Sequence, residues 1–236
     1  MITAAISEIF FSVQGEGLYC GQKQVFVRFA GCNLRCAYCD EPAALEKVRS
    51  ARLSARDAAG AVLKLAGKNR AKAVSLTGGE PLLNWGFIKA VGPALRKAGL
   101  SVHLETNGTL YRELEKVKEI ADVISMDIKL PSSTGQKPFW REHGRFLAVA
   151  PEKTFIKTVV CSKTRFSDFK KAVQLAASVS RRLPFFIQPV TSVSGKAAHG
   201  ARPPSAIFLE KACCLAAAEL STARLLPQQH PKWRIK

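Results

Sequence analysis

Val25-Phe26-Val27-Arg28-Phe29 runs directly into Ala30-Gly31-Cys32-Asn33-Leu34-Arg35-Cys36-Ala37-Tyr38-Cys39-Asp40, joining an apolar segment to three cysteines spaced C-x3-C-x2-C. The first part reads as a buried strand and Gly31 as its break, so the thiols belong to a loop at the strand's C-terminal end. Comparable runs recur at residues 73–77, 102–105, 123–126, 154–160, 185–188 and 224–226. Helical patterns separate them. Ser54 stands as an N-cap with Asp57 in the first turn, ahead of Ala58, Ala61, Val62 and Leu65 on one face. Ser167 is expected to cap a helix carrying Phe169, Ala172, Val173 and Ala176, and further helices are expected over 85–98 and 204–220. Strands alternating with helices imply an α/β fold: a parallel sheet with helices outside, open or curled into a full or partial barrel, with chemistry at the C-terminal strand ends. Residues 131–135 and 191–204 read as long loops. With no repeat, low-complexity tract or Gly/Ser linker, 1–236 is expected to form a single domain.

The chain has 36 Lys+Arg against 18 Asp+Glu, a formal charge of +18, and is 47% hydrophobic, enough for a packed core and against disorder. The basic residues are scattered and no nucleic-acid-binding motif appears, so no stable nucleic-acid complex is expected. No apolar run approaches the ~20 residues that span a bilayer. Residues 1–8 lack the pattern of a signal peptide and seven cysteines is an odd number, which points away from a secreted disulfide scaffold and toward the cytoplasm.

Three thiolates within eight residues can take three corners of an iron–sulfur cube, leaving a fourth position open to a ligand. A zinc site completed by Asp40 or His103 is the alternative, although no second Cys/His couple follows, as are unrelated buried thiols. Cys20, Cys161, Cys213 and Cys214 lie in or beside apolar segments and read as small core residues. The next strand ends in Thr77-Gly78-Gly79-Glu80-Pro81, where glycines admit close backbone approach and a carboxylate can accept from an ammonium group. Two further strand ends carry Glu105-Thr106-Asn107-Gly108 and Ser125-Met126-Asp127-Ile128-Lys129. Each of these also fits an ordinary turn.

Taken in order, C-x3-C-x-aromatic-C after a strand and Gly-Gly-Glu-Pro after the following one resemble the radical S-adenosylmethionine (radical SAM) superfamily. The resemblance implies a partial (β/α) barrel with a [4Fe-4S] cluster on Cys32, Cys36 and Cys39 and S-adenosyl-L-methionine on its fourth iron. One-electron cleavage of that cofactor yields a 5′-deoxyadenosyl radical. By the same resemblance Tyr38 packs beside the adenine, and Gly78, Gly79 and Glu80 meet the methionine amino group. Glu105, Asn107, Ser125, Asp127 and Lys129 meet the ribose and carboxylate.

Ser12-Val13-Gln14-Gly15-Glu16-Gly17, the Phe26–Cys32 stretch, Asp127-Ile128-Lys129-Leu130-Pro131-Ser132-Ser133 and Pro227-Gln228-Gln229-His230 resemble one branch of that superfamily. Its members contract 6-carboxy-5,6,7,8-tetrahydropterin, with loss of ammonia, to 7-carboxy-7-deazaguanine for queuosine-type nucleosides. The resemblance implies substrate contacts from Gln14, Gly15, Glu16, Arg28, Gln228 and His230, with Arg28 suited to the 6-carboxylate. On pattern alone Arg28 also fits a solvent-facing strand position and His230 a tail residue. The resemblance further implies N- and C-terminal substrate-binding extensions, a flavodoxin-type reductant, a homodimer and Mg²⁺. The family has Thr or Ser after Cys-Asp; here Glu41, also a hard oxygen ligand, is the candidate for Mg²⁺. Pro231 stands where a lysine is common. The rival readings are a glycyl-radical-enzyme activase and a zinc-binding, basic RNA-associated protein.

Overall fold

The computed structural model describes residues 2–45, 50–193, 196–197, 201–233 and 235. It begins with a strand that pattern reading does not pick out, β1 (Thr3–Val13), antiparallel to β2 (Lys23–Phe29) and, on its other edge, to β3 (Ala51–Ser54). Helices and strands then alternate: α1 (Ala55–Asn69), β4 (Ala73–Gly78), α2 (Trp85–Lys97), β5 (Ser101–Thr106), α3 (Tyr111–Glu115), β6 (Val123–Asp127), α4 (Pro131–Thr134), α5 (Trp140–Leu147), β7 (Thr154–Val160), α6 (Phe166–Val179) and β8 (Phe185–Pro189). A short ribbon, β9 (Ser192–Val193) with β10 (Lys196–Ala197), precedes α7 (Ala206–Glu219), β11 (Ala223–Leu225) and the single turn α8 (His230–Trp233).

One sheet runs β11-β8-β7-β6-β5-β4-β2-β1-β3, and every pairing from β11 to β2 is parallel. Strands covered by helices are apolar on both faces. Val74, Leu76, Leu104, Ile124, Met126, Ile156 and Ile187 are accordingly at most 1% exposed. With β3 and β11 as its edges among the described residues, the sheet is the open, partial form of the expected barrel. Outside it, Phe169 of α6 packs edge-on against Phe185 and Phe208, each about 6.2 Å away. Ser54 caps α1 as expected, accepting from Asp57 N–H (3.1 Å).

Several expectations change. The Arg165 carbonyl accepts from Asp168 and Phe169 N–H, so α6 starts at Phe166 and Ser167 lies inside its first turn instead of capping it. Residues 131–135 are a helical turn, not a loop: Pro131 presets φ and the Leu130 carbonyl receives both Thr134 N–H and Thr134 Oγ1. The expected loop 191–204 contains the β9–β10 ribbon, while 194–195 and 198–200 lie outside the described residues. Of the four cysteines read as core, Cys161 is buried, Cys20 and Cys213 are partly buried and Cys214 is exposed. On α7 the buried stripe passes through Ala212 and Ala216, which turns position 214 outward. Among the described residues no helix is long and apolar enough to cross a membrane.

Two buried histidines support the sheet. His103 Nδ1 pairs with Gln24 Nε2 (3.1 Å) under Tyr19, and His143 Nε2 lies 3.2 Å from the Asn107 carbonyl. Burial lowers both to a pKa of about 4 from 6.5. Between those values the unfolded chain holds protons that the folded chain does not, so stability falls as pH drops from about 6.5 toward 4. We expect His103→Gln to flatten that fall by on the order of 2 kcal/mol, measured as urea unfolding free energy at a series of pH values.

Candidate functional site

The cysteine loop is held by main-chain contacts that only glycine permits. Gly31 turns the chain at φ 94°, Gly79 N–H donates to the Phe29 carbonyl (3.0 Å) and Glu80 N–H to the Gly31 carbonyl (2.9 Å). A Cβ on Gly79 would stand 2.0 Å from Gly31 O; one on Gly78, at φ 121°, would stand 2.3 Å from Phe29 O. The far side of the loop is tied to α4 by Ala37 N–H to the Thr134 carbonyl (2.9 Å). Burial raises the pKa of Cys32, Cys36 and Cys39. Among the described residues the three thiols do not form a set of ligand atoms all within 4.8 Å of one another. Thiolates around one tetrahedral zinc ion stand ~3.8 Å apart, so as placed the three thiols do not match the ligand shell of a single tetrahedral ion. His103 does not complete a metal site, being bonded to Gln24 and absent from the cavity wall.

A cavity of about 650 Å³ opens above the C-terminal ends of the parallel strands, with the three cysteines on its wall. Tyr38, Gly78, Gly79, Glu105, Asn107, Ser125, Asp127 and Lys129 line it, as do Gln14, Gly15, Glu16, Arg28, Glu41, Gln228 and His230. Glu80 does not. It is fully buried, accepting from Leu82 N–H (3.0 Å) and Thr106 Oγ1 (2.8 Å) on one oxygen and from Asn107 N–H (2.8 Å) on the other. Burial raises its pKa to about 7, with those donors opposing.

The wall is a network of paired charges. Glu105 accepts from Gln14 Nε2 (2.8 Å), Ser75 Oγ (2.8 Å) and Thr77 Oγ1 (2.7 Å). Glu16 accepts from Lys157 Nζ, Gln188 Nε2 (3.1 Å) and Gln228 Nε2 (2.5 Å). Burial alone would raise the Glu16 pKa; Lys157, the Gln228 amide and His230 outweigh it and hold it at about 2. Lys129 Nζ bonds Asp127 Oδ2 (2.7 Å) and stands 3.4 Å from the Tyr38 hydroxyl. Burial opposes the charge on Lys129, but Asp127 and its other neighbours keep its pKa above the ordinary lysine value. Arg28 pairs with Glu41 and so points into the site. Arg28 Nε, Asp127 Oδ1 and Gln188 Oε1 are buried without a partner, on residues that line the cavity. Gln229 N–H donates to the Gly15 carbonyl (2.9 Å), folding His230 back so that Glu16, Asp40 and His230 bring their ligand atoms within 4.8 Å of one another. A Cβ on Gly15 would meet His230 Nδ1 at 2.8 Å.

Pattern reading did not single out Lys157 or Gln188. The signals were a lone cation inside the apolar β7 and an amide at the end of β8.

Residues 26–182 match the family model of the Radical SAM superfamily, which sets the class: this is a radical SAM enzyme. Relatives matched along nearly the whole chain narrow it. The chain is 37% identical to the 7-carboxy-7-deazaguanine synthase of Geobacter sulfurreducens, covering 96% of each protein. It is 35% identical to that of Methanopyrus kandleri over 95% of this chain and 91% of the relative. The chain belongs to the 7-carboxy-7-deazaguanine synthase family. The crystal structure of QueE from Escherichia coli shares the fold, with a TM-score of 0.64 at 21% identity over 97% of this chain and 95% of that one.

Because Gly79 has no room for a side chain, Gly79→Ala is expected to displace the cysteine loop. After anaerobic reconstitution its iron content should fall well below the about four atoms per chain of a [4Fe-4S] cube, with the far-UV circular dichroism of the parent retained.

Proposed function

We propose that this chain, acting as one unit over residues 1–236, converts 6-carboxy-5,6,7,8-tetrahydropterin to 7-carboxy-7-deazaguanine with loss of ammonia. The observation that carries this reading is that one cavity is lined both by the three thiols and by Glu16, Arg28, Gln228 and His230, drawn from both ends of the chain. Cys32, Cys36 and Cys39 hold a [4Fe-4S] cluster, and with S-adenosyl-L-methionine the cluster supplies one-electron radical chemistry. The chain's own share is binding, orientation and exclusion of water.

Gly78 and Gly79 expose main chain to the cofactor's methionine, with Glu80 setting their geometry from beneath. Asp127 offers its free Oδ1, Lys129 and Tyr38 stand beside it, and Glu105, Asn107 and Ser125 complete the wall toward the ribose. Glu16, ionised at a pKa of about 2, accepts from the amide and amino edge of the pterin. Gln188 Oε1 adds an acceptor, Gln14, Gly15, Gln228 and His230 shape the pocket, and Arg28 faces the 6-carboxylate. Asp40 and Glu41 are hard oxygen donors at the same wall and would hold Mg²⁺. In this reading the protein is a cytoplasmic homodimer served by a flavodoxin-type reductant, and its product enters queuosine biosynthesis.

Anaerobic reconstitution with the tetrahydropterin, S-adenosyl-L-methionine and Mg²⁺ should yield 7-carboxy-7-deazaguanine; an intact cluster without that product refutes the substrate assignment. Cys36→Ala is expected to lose the cluster and all release of 5′-deoxyadenosine, measured by chromatography. Full turnover by that variant would overturn the mechanism.

A further inference from the structure

Arg28 carries an anion seat that the chain itself occupies. The guanidinium lies 5.2 Å from the Phe10 ring, which stacks on Phe26 at 5.2 Å, so its plane is set against the cavity wall. Nη1 donates to Glu41 Oε2, two residues beyond Cys39, while Nε is buried without a partner. The Arg28 side chain is 20% exposed and that of Glu41 39%. Glu8 faces Arg28 across the β1–β2 register and lines the same wall. A guanidinium presents a planar fork that both oxygens of one carboxylate can fill. Glu41 engages a single Nη from a half-exposed loop position, and returning its carboxylate to water costs little.

We propose that Glu41 is an internal cap on Arg28, keeping the guanidinium paired until a carboxylate-bearing ligand takes the place of the Glu41 carboxylate. The cap rests on the reading of Arg28 as the seat of the substrate carboxylate. It makes Glu41 a specificity-determining residue: a ligand must present a carboxylate to gain from Arg28, and its affinity is lowered by the strength of the cap. The displaced Glu41 carboxylate is then available as an oxygen ligand.

Phenylglyoxal modification of Arg28, followed by peptide mass spectrometry on the full chain, reads the cap without any pterin. Glu41→Thr and Glu41→Gln are expected to speed that modification by ~5-fold, with Arg35 on the same loop as reference. No change in either variant, with the parent circular dichroism spectrum retained, overturns the cap. On the reconstituted holoenzyme, fluorescence titration with 6-carboxypterin should tighten by a similar factor in both variants, while pterin lacking the carboxylate binds as before. If the parent binds 6-carboxypterin through Arg28, shown by loss in Arg28→Lys, yet the Glu41 variants bind no tighter, the cap falls and the substrate reading stands. Faster labelling without any 6-carboxypterin binding sinks the pterin reading and keeps the cap.

Discussion

The main chain at Gly79 passes so near that of Gly31 that a single methyl group would stand 2.0 Å from the Gly31 carbonyl, and the arrangement of the cavity follows from that contact. It brings the ends of two parallel neighbours, β2 and β4, into register and suspends the cysteine loop above them. Glu80, just past the contact, turns inward and accepts from Asn107 N–H, so the end of β5 is referenced to the same point. From there a closed ring of side-chain hydrogen bonds returns to the loop. Asn107 Nδ2 donates to Asn33 Oδ1 (2.8 Å), Asn33 Nδ2 to Thr109 Oγ1 (2.9 Å) and Thr109 Oγ1 to Asn107 Oδ1 (2.6 Å). Three strand ends are thereby coupled to one backbone approach.

Charge is organised differently inside and out. The excess of +18 belongs to scattered Lys and Arg. The cavity instead holds cations matched to acids: Lys157 with Glu16, Lys129 with Asp127, Arg28 with Glu41. For the two largely buried pairs, Lys157 with Glu16 and Lys129 with Asp127, removing one partner leaves the other charged without compensation, a loss of ~3–5 kcal/mol; the more exposed Arg28–Glu41 pair is worth far less. The pairs therefore hold the pocket's shape as well as its polarity. Three atoms on these walls, Asp127 Oδ1, Gln188 Oε1 and Arg28 Nε, are buried without a partner.

Legibility in the sequence tracked how local the cause was. Six of the seven parallel strands are short apolar runs whose burial on both faces leaves a pattern no neighbour needs to supply; the seventh, the edge strand β11, is largely exposed and forms by pairing with β8. β1 escaped notice because a register irregularity between Ile6 and Glu8 breaks its alternation, and its stability comes from hydrogen bonds to β2 and β3. Ser167 looked like a cap, yet the Arg165 carbonyl started α6 earlier. Lys157 and Gln188 each looked like one polar residue in an apolar strand until Glu16, from far earlier in the chain, was placed against both.

By itself the sequence determined the alternation of strands and helices, the cysteine spacing and the glycines after β4, because each is written in neighbouring residues through periodicity, turn chemistry or ligand spacing. Tertiary structure alone decided that Glu80 points inward as a brace, that His230 folds back over Gly15 and that Glu41 closes on Arg28. Those outcomes depend on hydrogen bonds and ion pairs between segments distant in sequence, or across a loop whose path is set by such bonds. Their energies exist only once the sheet has brought the partners together.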